Sequence, residues 1–332
     1  MRVLVTGGTG FIGSHAVVSL MDEGHDPVIV DNLSNSSSSV IGRIGEITGR
    51  TPEFHNVDIR DSDLMESVVA RGIDACMHFA ALKAVGESVE EPLMYYDNNV
   101  GGTIALLEVL AAHDVGVFIF SSSATVYGEA ETLPFTEDMP IGRATNPYGW
   151  TKIMMEQILR DAQRANPSMS VALLRYFNPV GAHESGIIGE APEGTPNNLM
   201  PIVARVADGR MSKVPVYGGD YETRDGTGIR DYVHVVDLAE GHVAALDSLA
   251  QSPGVHTFNI GTGQGHSVLE LIAAYERASG KPIPYEIVER RPGDVAESWA
   301  DVTKAATELG FKAKRDLHAM CVDSWRWQLR SR

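Results

Sequence analysis

Through the first half of the chain, short apolar runs alternate with stretches in which apolar residues recur at helical spacing. The runs at residues 2–6, 27–30, 53–57, 75–80, 117–121 and 171–176 are too short for helices and have the composition of buried strands. Between them, residues 14–23, 103–113 and 151–165 present one apolar and one polar face when wound as helices. Strand and helix in regular alternation predict an α/β fold built on a doubly wound parallel sheet. The texture changes after Tyr176, where Asn178-Pro179, Gly181, Pro192, Gly194 and Pro196 exclude regular secondary structure. Residues 1–177 are expected to form one domain. Residues 178–332, with shorter elements at 200–208, 214–217, 238–249, 268–279 and 284–288, are expected to form a smaller C-terminal lobe, free to return strands or helices to the first domain.

The turn after the first run reads Gly7-Gly8-Thr9-Gly10-Phe11-Ile12-Gly13, with Gly7, Gly10 and Gly13 evenly spaced. Small residues there permit a tight strand-to-helix turn, and they let the N–H groups of a helix N-terminus approach a pyrophosphate. This is the layout of a Rossmann-type dinucleotide site. Asp31 closes the second run, close to the spacing at which an acid binds the adenosine ribose. Its charge would repel a 2′-phosphate, so NAD rather than NADP is the expected cofactor. Asp58, after the third run, is a further candidate, to hydrogen-bond the adenine.

Tyr148-Gly149-Trp150-Thr151-Lys152 opens a predicted helix, and Ser121-Ser122-Ser123 ends a predicted strand. Four residues apart, Tyr148 and Lys152 share a helical face. A free tyrosine, with a pKa of about 10, is a poor base at neutral pH, whereas a nearby ammonium and a positively charged nicotinamide favour its phenolate. Ser123 can orient the substrate oxygen. These three are the candidate catalytic residues.

Charge narrows the partners. A net -17, with no basic patch, argues against nucleic acid and against anionic membrane surfaces. An acidic protein must meet a phosphorylated substrate with a few placed cations, for which Arg230 and Arg291 are candidates. Cys76 and Cys321 are too few for a disulfide framework, which fits a reducing compartment. No apolar run reaches membrane-spanning length, and the first residues lead straight into the glycine loop with no room for a signal peptide, so a cytoplasmic location is expected. The histidines show no metal-ligand spacing; no metal is expected, and His78 reads as a core residue. Trp325 and Trp327 read as packing for a terminal helix.

The glycine loop, the serine run and the Tyr148, Lys152 pair resemble those of the extended short-chain dehydrogenase/reductases. Further strings narrow the resemblance to UDP-galactose 4-epimerases over essentially the whole chain. They are His78-Phe79-Ala80-Ala81-Leu82-Lys83-Ala84-Val85-Gly86-Glu87-Ser88, Tyr95-Tyr96-Asp97-Asn98-Asn99-Val100, Asn197-Asn198-Leu199-Met200-Pro201 and the stretches 121–127, 174–181 and 225–234. The resemblance implies an NAD pocket of Gly7, Gly10, Phe11, Ile12, Gly13, Asp31, Asn32, Asn35, Ser36, Asp58, Ile59, Phe79, Ala80, Lys83, Asn98, Tyr148, Lys152 and Phe177. It also implies a UDP-hexose site of Lys83, Ser123, Tyr148, Asn178, Asn198, Leu199, Tyr217, Arg230, Arg291, Asp294 and Ser298.

The activity so implied is reversible 4-epimerisation of UDP-glucose and UDP-galactose. Tyr148 would take the proton of the sugar's 4-hydroxyl while NAD takes hydride from carbon 4, and the resulting keto sugar would turn and receive it on the other face. A homodimer is implied too, through helices near 98–113 and 151–165. In such epimerases the residue before the tryptophan of Ser298-Trp299 is a bulky tyrosine in members confined to unacetylated sugars and a small residue in members that also accept N-acetylhexosamines. Ser298 thus implies the wider range. Two rival readings are weaker. A 4,6-dehydratase on this scaffold would carry an Asp-Glu pair where this chain has Ala124-Thr125, and a non-catalytic NAD sensor would have no need of Ser123, Tyr148 and Lys152.

Overall fold

The computed structural model describes residues 1–128, 132–142, 144–191, 194, 196–291 and 293–331, so Pro192 lies outside the described residues. The strands are β1 (Arg2–Thr6), β2 (Asp26–Asp31), β3 (Glu53–Asn56), β4 (Ala75–His78), β5 (Val117–Ser121), β6 (Ser170–Tyr176), β7 (Asn178–Val180), β8 (Val214–Tyr217), β9 (Ile229–His234), β10 (Gly254–Ile260), β11 (Gly265–Ser267), β12 (Tyr285–Val288) and β13 (Glu297–Ser298). Seven of them form a parallel sheet in the order β10-β6-β5-β4-β1-β2-β3.

The central strands are apolar on both faces because both faces are covered. Val3, Val5, Ile29, Met77, Ile119 and Leu174 pack under helices Phe11–Asp22, Ser39–Thr48 and Val235–Leu249. Their alternates Leu4, Val28, Cys76, Phe118, Phe120 and Leu173 pack under helices Ser62–Val69, Gly102–Ala112 and Pro147–Ala165. His78 is buried in this core, hydrogen-bonded to Thr6 and Thr103.

From β1 the chain moves outward through β2 and β3, then returns to β4 and builds the other wing, so the order reverses between β1 and β4. A crevice opens at the carboxyl ends of strands that diverge in this way. Gly7 stands there with φ +70°, and a Cβ on it would meet Ala80 N at 2.7 Å. Only glycine lets the turn after β1 lie against the segment after β4.

Beyond Tyr176 the chain divides its work. Helix Val235–Leu249 and β10 join the first sheet, and β10 pairs with β6 along seven residues. The rest builds a lobe in which helices Leu199–Ala207, Val268–Ser279 and Leu317–Arg330 enclose Val203, Tyr232, Leu271, Tyr275 and Met320. Trp327 is buried on the last of these helices. The expectation of no regular structure after Tyr176 needs correction. Asn178–Val180 is a strand, paired in parallel with β9 through Pro179 and Val233. Pro179 is tolerated because β7 has a neighbour on one side only, where a missing N–H costs little.

Candidate active site

Helix Phe11–Asp22 begins directly from the glycine loop. Its N-cap, Gly10, offers no side-chain acceptor to the first turn, which leaves N–H groups of Phe11, Ile12 and Gly13 to an external anion. A Cβ on Gly13 would lie 2.2 Å from Gly7 O, so the third glycine is what allows the helix to close on the loop. Asp31, at the end of β2, accepts hydrogen bonds from Thr9 N (3.1 Å), Leu33 N (2.9 Å) and Ser36 Oγ (3.1 Å). Its carboxylate is thereby fixed beside the loop, as a ribose diol requires. Asn35 is exposed on the same loop. This donor set, an uncapped helix N-terminus followed by an oriented acid, fits a dinucleotide without a 2′-phosphate.

Asp58 is less free than its position suggests. Arg60 grips it through the backbone N, Nε and Nη2 at 2.8–2.9 Å, Asn32 Nδ2 adds a bond of 2.9 Å, and the guanidinium holds the carboxyl well below the usual range. Sequence reasoning did not find Arg60. Ile59 is buried against Gly102, where a Cβ would stand 2.8 Å from its Cδ1. Phe79 and Ala80 leave β4 with their N–H groups on Thr6 O (3.0 Å) and Thr6 Oγ1 (3.4 Å), and the Phe79 ring lies 4.8 Å from that of His242. A π-helical turn, Tyr96–Gly101, carries Asn98 and Asn99. Asn98 Nδ2 donates to Asn99 Oδ1, while Asn99 clasps both sides of the Leu82 peptide and donates to Thr151 Oγ1 at 3.1 Å. Asn99 thus ties the segment bearing Lys83 to the helix bearing Tyr148. Irregular turns of this kind often mark functional sites.

That helix starts at Pro147, capped by Asn146, whose side chain accepts from Gly149 N at 2.9 Å. Tyr148, Lys152 and Glu156 follow at intervals of four and are buried along one face. Each meets one residue of the serine run. Ser123 lies beside the Tyr148 phenol and favours its ionised form, Lys152 Nζ donates to Ser121 O at 2.8 Å, and Ser122 Oγ donates to Glu156 Oε1 at 2.7 Å. Burial pushes the Tyr148 phenol up, opposed by the nearby Ser123 hydroxyl. Burial pushes Lys152 down to about 7, opposed by Glu156. The Lys152 nitrogen lies 5.9 Å from the centre of the Tyr148 ring, so it acts on the phenol through its field.

The lobe supplies the polar groups for a nucleotide sugar. Phe177 is buried 6.0 Å from Phe135, and Asn178, next in sequence, is exposed at the start of β7. Asn198 stands at the N-cap of helix Leu199–Ala207, while Leu199 packs against the lobe core. Asn198 Nδ2 donates to Glu190 Oε1 at 2.8 Å, and Lys83 Nζ lies 3.4 Å from the same oxygen. Glu190, absent from the sequence reading, therefore joins a cofactor-side residue to a lobe residue. The Arg291 guanidinium lies 4.1 Å over the Tyr217 ring. Arg230 Nη2 is 3.6 Å from Asp294 Oδ1, and Ser298 on β13 is in register with Arg230 on β9. Gly293, between Arg291 and Asp294, comes against the residue that precedes the N-cap of the catalytic helix: a Cβ on it would stand 3.3 Å from Thr145 Oγ1.

A dinucleotide crevice with a Ser, Tyr and Lys ladder on its wall defines a class, and residues 3–261 match the model of the NAD dependent epimerase/dehydratase family, to which the chain belongs. Within it the chain is a member of the UDP-glucose 4-epimerases. It is 57% identical over 329 residues to the UDP-glucose 4-epimerase of Bacillus subtilis (strain 168), covering 99% of this chain and 97% of that one. Two solved structures agree. The UDP-glucose 4-epimerase of Bifidobacterium longum in complex with NAD+ and UDP is 54% identical with a TM-score of 0.96, covering 99% of this chain and 98% of that one. The enzyme of Stenotrophomonas maltophila with bound NAD and formylated UDP-arabinopyranose is 53% identical with a TM-score of 0.98, covering 100% and 98%.

Proposed function

We propose that this chain interconverts UDP-glucose and UDP-galactose by 4-epimerisation with NAD as resident cofactor. The observation that carries the reading is the buried wall on which Tyr148 and Lys152, one helical turn apart, face the serine run, with Lys152 Nζ on Ser121 O at 2.8 Å, at the carboxyl end of a sheet whose switch point holds the glycine loop. Tyr148, as the phenolate, takes the proton of the 4-hydroxyl, holds it on the phenol oxygen and returns it; burial alone disfavours that phenolate, and Ser123, the Lys152 ammonium and the positive nicotinamide of bound NAD oppose the burial. Ser123 orients the same sugar oxygen. NAD, when bound, supplies acceptance and return of hydride at carbon 4. Arg230 and Arg291 hold the diphosphate while the keto sugar turns about its bond to phosphate. UDP-galactose given to the pure protein without added cofactor should yield UDP-glucose; a dehydrated keto sugar, or no reaction even after NAD is supplied, would overturn the proposal.

The remaining assignments are of the same kind. Residues 1–177 serve NAD, and residues 178–332 mainly serve the UDP-sugar. Ser298, a small side chain beside Arg230, leaves room for an acetamido group, so UDP-N-acetylglucosamine and UDP-N-acetylgalactosamine are also substrates. The chain works as a homodimer. Val89, Leu93, Met94 and Ile104, with Trp150 and Met154 of the catalytic helix, are exposed apolar residues of the kind an interface covers. No helix among the described residues is long and apolar enough to cross a membrane, and we assign the protein to the cytoplasm.

A further inference from the structure

Behind the catalytic residues lies a charged pair that the reaction as described does not use. Glu156 is fully buried, one helical turn beyond Lys152 on the same face. Arg175, on β6 and 2% exposed, grips it with both prongs, Nε to Oε1 at 2.9 Å and Nη2 to Oε2 at 2.7 Å. Oε1 also accepts from Ser122 Oγ. A fully buried ion pair is a poor source of stability when apolar residues of similar size could fill the space. Its position suggests another use.

Ser121, Ser122 and Ser123 are consecutive, and they meet Lys152, Glu156 and Tyr148. Of these three links, only the one at Glu156 involves a group that the chemistry has no need of. It fixes the peptide between the carbonyl that holds Lys152 and the hydroxyl that faces Tyr148. It also places a negative charge one helical turn from the ammonium, held in place by the Arg175 guanidinium.

We propose that Glu156 is a positioning residue of the active site, which orients Ser123 through Ser122 and sets the charge of Lys152. The proposal rests on the reading of Tyr148 as the proton-transfer group. Other groups surround the pair. Arg160, on the same helix, is 3.6 Å from Glu156 Oε2, and Tyr127, from the turn Ala124–Tyr127, receives Arg175 Nη1 at 3.1 Å. Glu137 contributes its carbonyl to Arg175. Around Lys152 stand Tyr148, the Phe120 ring at 5.0 Å, His78 on β4 and, through Ser121 Oγ, Tyr176 on β6. His78 is neutral near pH 7, its pKa pushed to about 3 by burial, so Glu156 is the nearby anion on the Lys152 side of the helix.

Removing a carboxylate beside an ammonium lowers the ammonium's pKa, and leaving Arg175 uncompensated lowers it further. A phenol in the same field loses its proton more easily. In the Glu156→Gln holoenzyme, both limbs of the pH profile of kcat for UDP-galactose should move to lower pH, by about one unit. The Tyr148 phenolate, read by ultraviolet difference titration against the matching Tyr148→Phe protein, should form earlier by a similar interval. The double variant Glu156→Gln/Arg175→Gln carries no unpaired buried charge and serves if the single variant folds poorly. It should recover at least half of the shift. Ser122→Ala cuts the hydrogen bond and leaves both charges, so kcat should fall several-fold with the midpoints in place.

A Glu156→Gln protein with wild-type midpoints, or a double variant that does not move back, would overturn the inference. So would a Ser122→Ala protein of wild-type kcat. The titration needs no turnover, so failure here is distinguishable from failure of the epimerase reading, which would appear as a wild-type protein inert toward UDP-hexoses.

Discussion

The two sides of the candidate site are built differently. On the sheet side, Tyr148, Lys152 and Ser123 are buried and each is held by a partner within the chain before any substrate arrives. On the lobe side, Arg291 rests on an aromatic face, Arg230 is held by Ile229 O at 2.9 Å with a loose ion pair to Asp294 at 3.6 Å, Asn198 is exposed with one bond to Glu190, and Asn178 is exposed. Proton transfer needs fixed geometry and a tuned pKa, which burial and short hydrogen bonds provide. Recognition of a diphosphate and a turning sugar needs a charge that can follow the ligand, and the exposed Arg291 guanidinium provides that beside the half-buried Arg230. The difference assigns rate to one side and affinity or selectivity to the other.

The largest test of that division is Tyr148→Phe. Losing one ionisable oxygen should cost about 10²–10⁴-fold in kcat while thermal unfolding and NAD content stay close to wild type; turnover within a few-fold of wild type would remove Tyr148 from the chemistry. On the other side, Ser298→Tyr should reduce kcat/KM for UDP-N-acetylgalactosamine by about a hundredfold while changing that for UDP-galactose little. If the wild-type protein ignores N-acetylhexosamines, the assignment of Ser298 fails at once. Arg291→Ala should act mainly on KM, raising it about tenfold for UDP-galactose through the loss of a charge-assisted hydrogen bond. A drop confined to kcat would blur the division.

The smallest expected effect separates the sides by pH. His15, His78 and His242 are buried on the sheet side, and desolvation lowers them to about 3, about 3 and about 4 from a usual value of 6.5. Between pH 6.5 and 4 the unfolded chain binds protons that these folded imidazoles refuse. Stability contributed by their neutral form is complete above 6.5 and is lost as the pH falls through that window. His242 is the clearest case, since its Nδ1 faces Leu238 O while its Nε2 has no partner among the described residues. His242→Phe should keep the packing against Phe79 and Tyr176 and lose less in melting temperature, by a few degrees, between pH 7 and pH 4.5. Equal losses in the two proteins would count against it.

The sheet side was also the more legible in the sequence. Strands buried on both faces make unbroken apolar runs, and five of the seven strands of the main sheet stood out for that reason, while the half-buried edge strand β3 was read from its place in the alternation. The seventh, β10, reads Gly-Val-His-Thr-Phe-Asn-Ile and is buried only in its last four residues, so no apolar run announces it. Motif residues were visible because their chemistry demands a spacing: glycines in a tight turn, Tyr148 and Lys152 one turn apart. Their partners obey no such rule, and where Glu156 continues the helical spacing nothing in the spacing tells it from a solvated helix face. Glu190, Asn99, Glu156 and the bond of Arg60 to Asp97 act through contacts between residues from 34 to 107 positions apart, which only folding brings together. Pro179 misled in the opposite direction, because a residue that excludes a central strand is acceptable on an edge.

The return of β10 to the first sheet bears on how far the molecule can be taken apart. A fragment ending at Tyr176 would leave all of β6, every residue of it buried in the intact chain, as a free parallel edge. Such an edge invites pairing with other copies, so that fragment should aggregate rather than persist as an NAD-binding unit. Grafting is constrained in the same way. The chain passes between sheet and lobe after β6, before helix Val235–Leu249, after β10 and again on either side of helix Thr303–Glu308. A lobe borrowed from another protein would need several matched junctions instead of one, so new sugar preferences are more readily introduced residue by residue than by exchange of modules.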